Sequence, residues 1–325
     1  MRKISPDSGR GGWTQLSRYR QEAPKAPRIR LQPRDRDIAA AVQRYRYITT
    51  EGLLRLFAPG GRGEKALRRR LALLFHHGLV TRRFLHPLER PLGLGSSKAI
   101  YLLDTAGAKL LFGEAWRSGG EGKKIDRRKE FGYRHLKHSL AISEFQLALD
   151  LALRESTEVR AERFVPDMEE AGMKVSVQIP GFRLKDNKAE EGGEREKITL
   201  WPDASFSILG KGKRFFYFLE VDQADRKTER LFKRFLAYWQ YVVEEREMLR
   251  KKRGVSGAFV LFVAPNEQRQ ITLIEIANRV PQIRRKRPGF WFLNQEELSL
   301  ADPGRLLREP VALGLDGKPG FLTKF

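Results

Sequence analysis

The chain has no cysteine in its 325 residues, no long apolar run and no phosphate-binding loop of the Gly-x-x-x-x-Gly-Lys type. The first absence excludes disulfide frameworks, thiol nucleophiles and every Cys-ligated zinc or iron–sulfur site. The second leaves nothing near the roughly 18 apolar residues that a membrane span needs. The third argues against an ATP-driven motor. Residues 1–30 are basic but have no apolar stretch behind them, so they do not read as a signal peptide. A soluble, intracellular protein with no membrane partner is expected, of a length that suggests two domains.

What the chain has in excess is positive charge. Its 63 Lys and Arg outnumber 40 Asp and Glu, a formal net charge of +23. The excess is uneven: residues 1–100 hold 22 basic and 7 acidic side chains, residues 101–250 hold 28 and 26. A basic segment joined to a near-neutral one reads as a polyanion-binding module attached to something else, with nucleic acid the favoured partner over membrane headgroups or acidic proteins.

Residues 1–30 carry Gly, Pro, Ser and Arg without hydrophobic period and read as a flexible basic arm. Ile38, Ala41, Val42 and Tyr45 then repeat at helical spacing, and Thr49-Thr50 caps a second short helix. After a glycine-rich turn, a third helix is expected from about Glu64 to His77. Leu67, Leu71, Leu74 and Phe75 form its apolar side. Arg62, Lys65, Arg69 and His76 project from the other, flanked by Arg68 and Arg70. Strands at 79–85 and 99–103 would enclose a loop, and Asp104-Thr105 caps a fourth helix. Three helices followed by a two-stranded ribbon is the order of a winged helix, whose third helix would enter the major groove. Arg82, Arg83, Arg90 and Lys98, on or beside the wing, are phosphate-contact candidates.

Residues 31–115 thus make a winged-helix domain and 116–130 a linker. Residues 131–300 make an α/β domain with a mixed sheet, and 301–325 a tail. In the second domain an apolar-striped helix (136–154) precedes a strand at 159–165. A polar insertion at about 183–197 reads as a mobile loop. Strands at 198–209 and 213–222 are joined by Gly210-Lys211-Gly212. A long amphipathic helix (228–252), a nearly all-apolar strand (258–264), a helix near 271–283 and a strand at 290–293 complete an α/β sandwich.

Three carboxylates stand out on this frame. Period two puts Glu220 and Asp222 on one face of their strand. A two-residue turn at 210–211 or 211–212 would aim Asp203 at the same face, opposite residue 218 or 220. Such a cluster repels itself unless a hard cation or basic groups compensate. Oxygen ligands and phosphodiester cleavage together favour Mg²⁺ or Mn²⁺. Glu144, inside the stripe of Leu136, Leu140, Leu147 and Leu151, is costly there unless paired or metal-bound. Lys227 and Lys233 could stabilise developing negative charge. The bland alternative for each residue is a solvated face or half of a salt bridge. His135 and His138 lack a third ligand pattern. His76-His77 lacks the spacing of tyrosine relaxases, and Tyr238 and Tyr241 read as packing residues.

The arrangement resembles the replication-relaxation family of bacterial plasmids and mobile elements, over about residues 34–295. The marks are Arg34-Asp35-Arg36-Asp37, the Leu67 to Val80 segment and Tyr101-Leu102-Leu103 with Asp104-Thr105-Ala106-Gly107. His138-x-Leu140, Pro202-Asp203, Glu220-Val221-Asp222 and a basic residue (Lys233 or Arg234) ahead of Tyr238 follow in order. The resemblance implies a winged helix followed by a domain like the PD-(D/E)xK nucleases. It makes Asp203 and Glu220 metal ligands and Glu144 the leading-helix carboxylate. It implies bacterial cytoplasm, at the nucleoid or plasmid, with double-stranded DNA and other relaxosome or replication proteins as partners. Asp222 stands where an active enzyme of that type has its lysine. Either Lys227 or Lys233 substitutes, making a Mg²⁺- or Mn²⁺-dependent nickase, or the domain is inactive and the protein is a non-catalytic repressor, initiator or relaxosome accessory. Winged helices often dimerise on two half-sites, although no coiled-coil seam argues for a homodimer.

Overall fold

The computed structural model describes residues 16–85, 98–116, 132–162, 164–166, 175–185 and 188–323. The chain divides into two compact units, Met1–Ser143 and Glu144–Phe325.

The first unit opens with α1 (Pro33–Tyr45), β1 (Ile48–Thr49) and α2 (Thr50–Phe57), followed by α3 (Glu64–His76). Then come β2 (Val80–Phe84), β3 (Ala99–Leu103) and α4 (Thr105–Phe112). The strands form one antiparallel sheet in the order β1-β3-β2. Thr49 caps α2 by accepting a hydrogen bond from the Gly52 amide at 3.1 Å, and Asp104 caps α4, so both start signals in the sequence act where they stand. Ile38, Val42, Leu53, Leu67, Leu71 and Leu74 are fully buried and supply the apolar core of the helices. Gly107 lies so close to β2 that a Cβ there would come within 2.1 Å of the Leu79 carbonyl. The helix α5 (Tyr133–Glu155) begins in this unit, where Leu136 and Leu140 cluster with Tyr47, Ile100 and Leu102.

Part of the expected free arm is packed. The Glu22 amide donates to His76 Nδ1 at 3.1 Å, and Gln21 Nε2 donates to Asp104 at 2.8 Å. Residues 1–15 lie outside the described residues, as do Arg90 and the linker's 117–130.

The second unit is built on a mixed sheet, ordered β15-β14-β13-β12-β11-β10-β4 with β5 also beside β10. These strands are β4 (Val159–Ala161), β5 (Val165–Pro166), β10 (Ala204–Gly210) and β11 (Lys213–Val221), followed by β12 (Gly257–Ala264), β13 (Phe290–Asn294), β14 (Ala312–Leu313) and β15 (Pro319–Gly320). β11, β12 and β13 run parallel; the other pairings are antiparallel. α5 covers one face through Phe145, whose ring lies 5.6 Å from Phe206. The other face packs against α6 (Thr228–Trp239) and α8 (Glu267–Asn278), in a core that includes Phe218, Phe235, Phe262 and Phe292. Between and after them lie α7 (Arg246–Arg253) and α9 (Pro281–Arg285), and α10 (Arg305–Arg308) precedes β14.

Several expectations are corrected here. The single strand expected over 198–209 is two, broken at Trp201-Pro202-Asp203. β9 (Glu196–Leu200) pairs instead with β6 (Val175–Ile179) in a separate ribbon. The insertion expected as a loop contains the hairpin β7 (Phe182–Lys185) and β8 (Lys188–Glu191). The long helix is interrupted by a π turn at Gln240–Glu244. Residues expected as a tail instead supply β14 and β15, which extend the sheet beyond β13. β8 carries no clean two-residue alternation, whereas Val175, Val177 and Ile179 of β6 do alternate with polar residues.

Candidate functional site

The β10–β11 hairpin turns at Lys211-Gly212. Both residues have positive φ, 49° and 72°, the backbone of a type I′ turn. This fixes the register with Gly210 opposite Lys213 and Ala204 opposite Leu219. Carried one step further, it sets Asp203 opposite Glu220. The Asp203 amide donates to the Leu219 carbonyl at 2.9 Å, and its carboxylate accepts from the Val221 amide at 2.7 Å. Asp203, Glu220 and Asp222 are all buried, at 7%, 0% and 2% exposure. The expected juxtaposition of Asp203 with Glu220 is therefore present, at the end of the sheet where β11 stops.

Arginines surround the carboxylates, so of the two expected forms of compensation, a hard cation or basic groups, the second is the one the fold supplies. Arg234, one turn before Tyr238 on α6, donates through Nε to Glu220 Oε2 at 2.7 Å and through a terminal nitrogen to Oε1. The Tyr238 hydroxyl also donates to Oε1, and Arg226 reaches Oε2 at 3.4 Å. The Arg234 guanidinium also donates to the Trp201 carbonyl at 2.8 Å, tying α6 to the break before β10. Asp222 accepts from Arg269 Nε on α8 at 2.6 Å and from the Ala224 amide at 2.9 Å. Complete burial pushes the Glu220 carboxyl above its ordinary value, against the pull of Arg234. Burial opposes the charge of Arg234, but Glu220 more than offsets this and holds the guanidinium up. Burial, reinforced by the Glu220 carboxylate, raises Tyr238 as well.

The set does not fit a divalent cation as it is built. An ion at Asp203 and Glu220 would need oxygen lone pairs that Arg234, Tyr238 and Arg226 already occupy, and it would meet two guanidinium charges at the same carboxylate. The compensation that three clustered carboxylates require is supplied by arginine. Sequence gave a partial signal for this: Arg234 and Tyr238 are four apart, and so share one face of the helix.

Glu144 and Lys233 are paired with other residues. Glu144 accepts from Gln295 Nε2 at 3.0 Å, beyond the end of β13 and on the helix that covers the opposite face of the sheet. It is not brought to Asp203 and Glu220. Lys233 pairs with Glu196 at 2.8 Å and Glu229 at 3.5 Å. Lys227 is exposed at the start of α6. Both line a cleft of about 540 Å³ with Arg226, Arg230 and Arg234.

In the first unit, Arg62, Lys65, Arg68 and Arg69 are exposed at and along α3, Arg68 pairing with Glu64 at 2.6 Å. Three candidates are instead committed inside the unit. Arg70 makes a two-point contact with Asp35, which is fully buried and requires a countercharge. His76 is buried because residues 21–22 cross the end of α3. Arg82 lies over the rings of Phe75 and Tyr101, 4.2 and 5.5 Å from their centroids. Arg83 is half-buried on β2, and Lys98 reaches Glu51 at 3.5 Å.

The chain belongs to the replication-relaxation family: the family's sequence model matches residues 40–256, within the span expected from the motifs. No curated protein matches the chain. Among solved structures, restriction endonuclease FokI, alone and bound to DNA, matches at 12% and 11% identity with a TM-score of 0.27 in each case. Each match covers 86% of this chain and 46% of the other, so the chain spans about half the length of the solved chains it matches. Among the described residues, no helix is long and apolar enough to cross a membrane.

Proposed function

We propose that the chain is a DNA-binding protein of a plasmid or mobile element that serves replication, relaxation or mobilisation by holding duplex DNA, and that its second unit is a nuclease-like domain whose carboxylate cluster is locked rather than catalytic. The observation that carries the reading is Glu220, whose two oxygens are both taken up by Arg234, Tyr238 and Arg226. The helix–strand–helix–helix–strand–strand order of the first unit supports a winged helix with α3 as the recognition helix. Arg62, Lys65, Arg68 and Arg69 would meet the phosphate backbone there. The basic excess of residues 1–100 supports the same partner.

The test uses supercoiled plasmid with the full chain and Asp203→Ala, in Mg²⁺, in Mn²⁺ and in EDTA. The expected result is a gel shift by both proteins in all three conditions, with the plasmid left supercoiled. Metal-dependent nicking that Asp203→Ala abolishes would instead make the protein a nickase. Failure of either protein to shift the plasmid would remove the DNA-binding reading itself.

A further inference from the structure

The parallel run of β11, β12 and β13 gives the central sheet two unlike ends. Asp203, Glu220 and Asp222 sit where β11 finishes. At the opposite end all three strands begin, and each is preceded by a basic stretch. The β10–β11 turn carries Lys211 and Lys213, α7 ends four residues before β12, and Arg284-Arg285-Lys286-Arg287 leads into β13. Registers set these stretches at one end: Phe215 lies beside Gly257 and Val260 beside Phe290. The Ser256 amide donates to the Arg214 carbonyl at 2.7 Å and the Val260 amide to the Gly289 carbonyl at 2.9 Å, holding the lead-in segments together. The last stretch is further tied by Trp239, whose indole donates to the Lys286 carbonyl at 2.8 Å, and by the Lys286–Glu244 pair at 3.2 Å. Lys211, Lys213, Lys251, Arg284, Arg285 and Arg287 are all exposed.

We propose that this strand-start rim is a second DNA-backbone surface, separate from α3 and at the opposite end of the sheet from the carboxylates. Three segments distant in sequence bring an excess of basic side chains to this rim; Glu162 and Glu244 offset Arg214 and Lys286, and the exposed excess repels itself unless a polyanion offsets it. Arginine predominates at 284–287, and its planar fork suits phosphate oxygens. Residues 284–287 expose no apolar side chain of the kind a bilayer-binding helix needs. The proposal rests on the DNA-binding reading for the identity of its partner. It adds that one chain can contact DNA through both units, so that a duplex held by the second unit lies away from Asp203 and Glu220.

The test compares salt-dependent binding of a random-sequence duplex by four full-length proteins. These are the wild type, a rim variant (Lys251, Arg284, Arg285 and Arg287 each →Gln), the same four positions with the three arginines each →Lys and Lys251 retained, and an α3 variant (Arg62, Lys65, Arg68 and Arg69 each →Gln). The rim variant should lose about 0.9 from the slope of log K against log salt for every phosphate contact removed. The Lys form should keep the wild-type slope, and the α3 variant should retain rim-dependent binding. A wild-type slope in the rim variant, or equal loss in the Lys form, overturns the rim alone. A wild type that binds no duplex overturns the DNA-binding reading with it. Vesicles of anionic and neutral phospholipid serve as a further probe. Rim-dependent binding to them in place of DNA makes the surface a membrane contact and overturns the proposal.

Discussion

Arg234 holds Glu220 by both carboxylate oxygens, on a partly buried side chain that also donates to the Trp201 carbonyl. Removing Arg234 leaves the buried Glu220 with only the longer contact to Arg226, at 3.4 Å, as countercharge. Arg234→Ala should therefore destabilise the second unit by about 3–5 kcal/mol. Arg234→Lys should recover little of this, because an ammonium cannot span both oxygens. Glu220→Gln, which keeps two polar atoms, should cost less than Arg234→Ala. Chemical denaturation of the three variants checks the order.

The raised carboxyl of Glu220 has a signed pH consequence. In the window above its ordinary value of 4.5 and below its folded value, the native state holds a proton that the unfolded chain has lost. Stability from this group therefore falls as pH rises through that window. Glu220→Gln should flatten this limb of the pH–stability profile of the second unit, measured by denaturation at fixed ionic strength.

His76 works the other way. Burial, with Arg82 and His77 adding positive charge and Glu22 opposing them, holds it below 6.5. Its Nδ1 accepts the Glu22 amide, so the neutral ring is the one that fits. The unfolded chain takes up its proton first as pH falls below 6.5, and stability is lost through that window. The protection of the Glu22 amide relative to its base-catalysed intrinsic exchange should fall over the same range, and His76→Gln should remove the dependence.

Two neighbouring arginines on α3 should separate folding from binding. Arg70→Ala uncovers buried Asp35 and should lower the stability of the first unit by about 3–5 kcal/mol. Arg69→Ala, at an exposed position, should leave stability within about 0.5 kcal/mol of wild type. The proposed function predicts that it weakens DNA binding by roughly one unit of salt slope. Thermal melts beside salt-dependent gel shifts distinguish the two.

Gly107→Ala should destabilise the first unit for a different reason. The new methyl would meet the Leu79 carbonyl, a backbone atom that cannot swing aside. Overpacking of this kind costs about 1–3 kcal/mol, and a lowered melting temperature checks it.

The sequence was most legible where chemistry is local. Thr49 and Asp104 announce helix starts with their own side chains, and Lys211-Gly212 sets a register that brings Asp203 to Glu220. Non-local pairing was harder to read. Nothing in Lys65, Arg69 and Arg70 as residue types says which will find a buried Asp35, and nothing in Glu144 says that Gln295 will reach it. Pro202 lies inside what reads as one strand over 198–209, and β6, where Val175, Val177 and Ile179 alternate with Ser176 and Gln178, is absent from the expected strand order, so its pairing with β9 does not follow from it. Most of all, the carboxylate pattern called for a countercharge without deciding between a cation and basic side chains. A cation and an arginine satisfy the same electrostatic demand, and only the fold brings Arg234 and Arg269 to it.

The most direct test of that last point is calorimetric titration of Mn²⁺ into the full chain and into Asp203→Ala. An arginine-held cluster predicts no saturable binding in wild type and no difference between the two proteins. Stoichiometric Mn²⁺ binding that disappears in Asp203→Ala would contradict it and make the carboxylates a metal site.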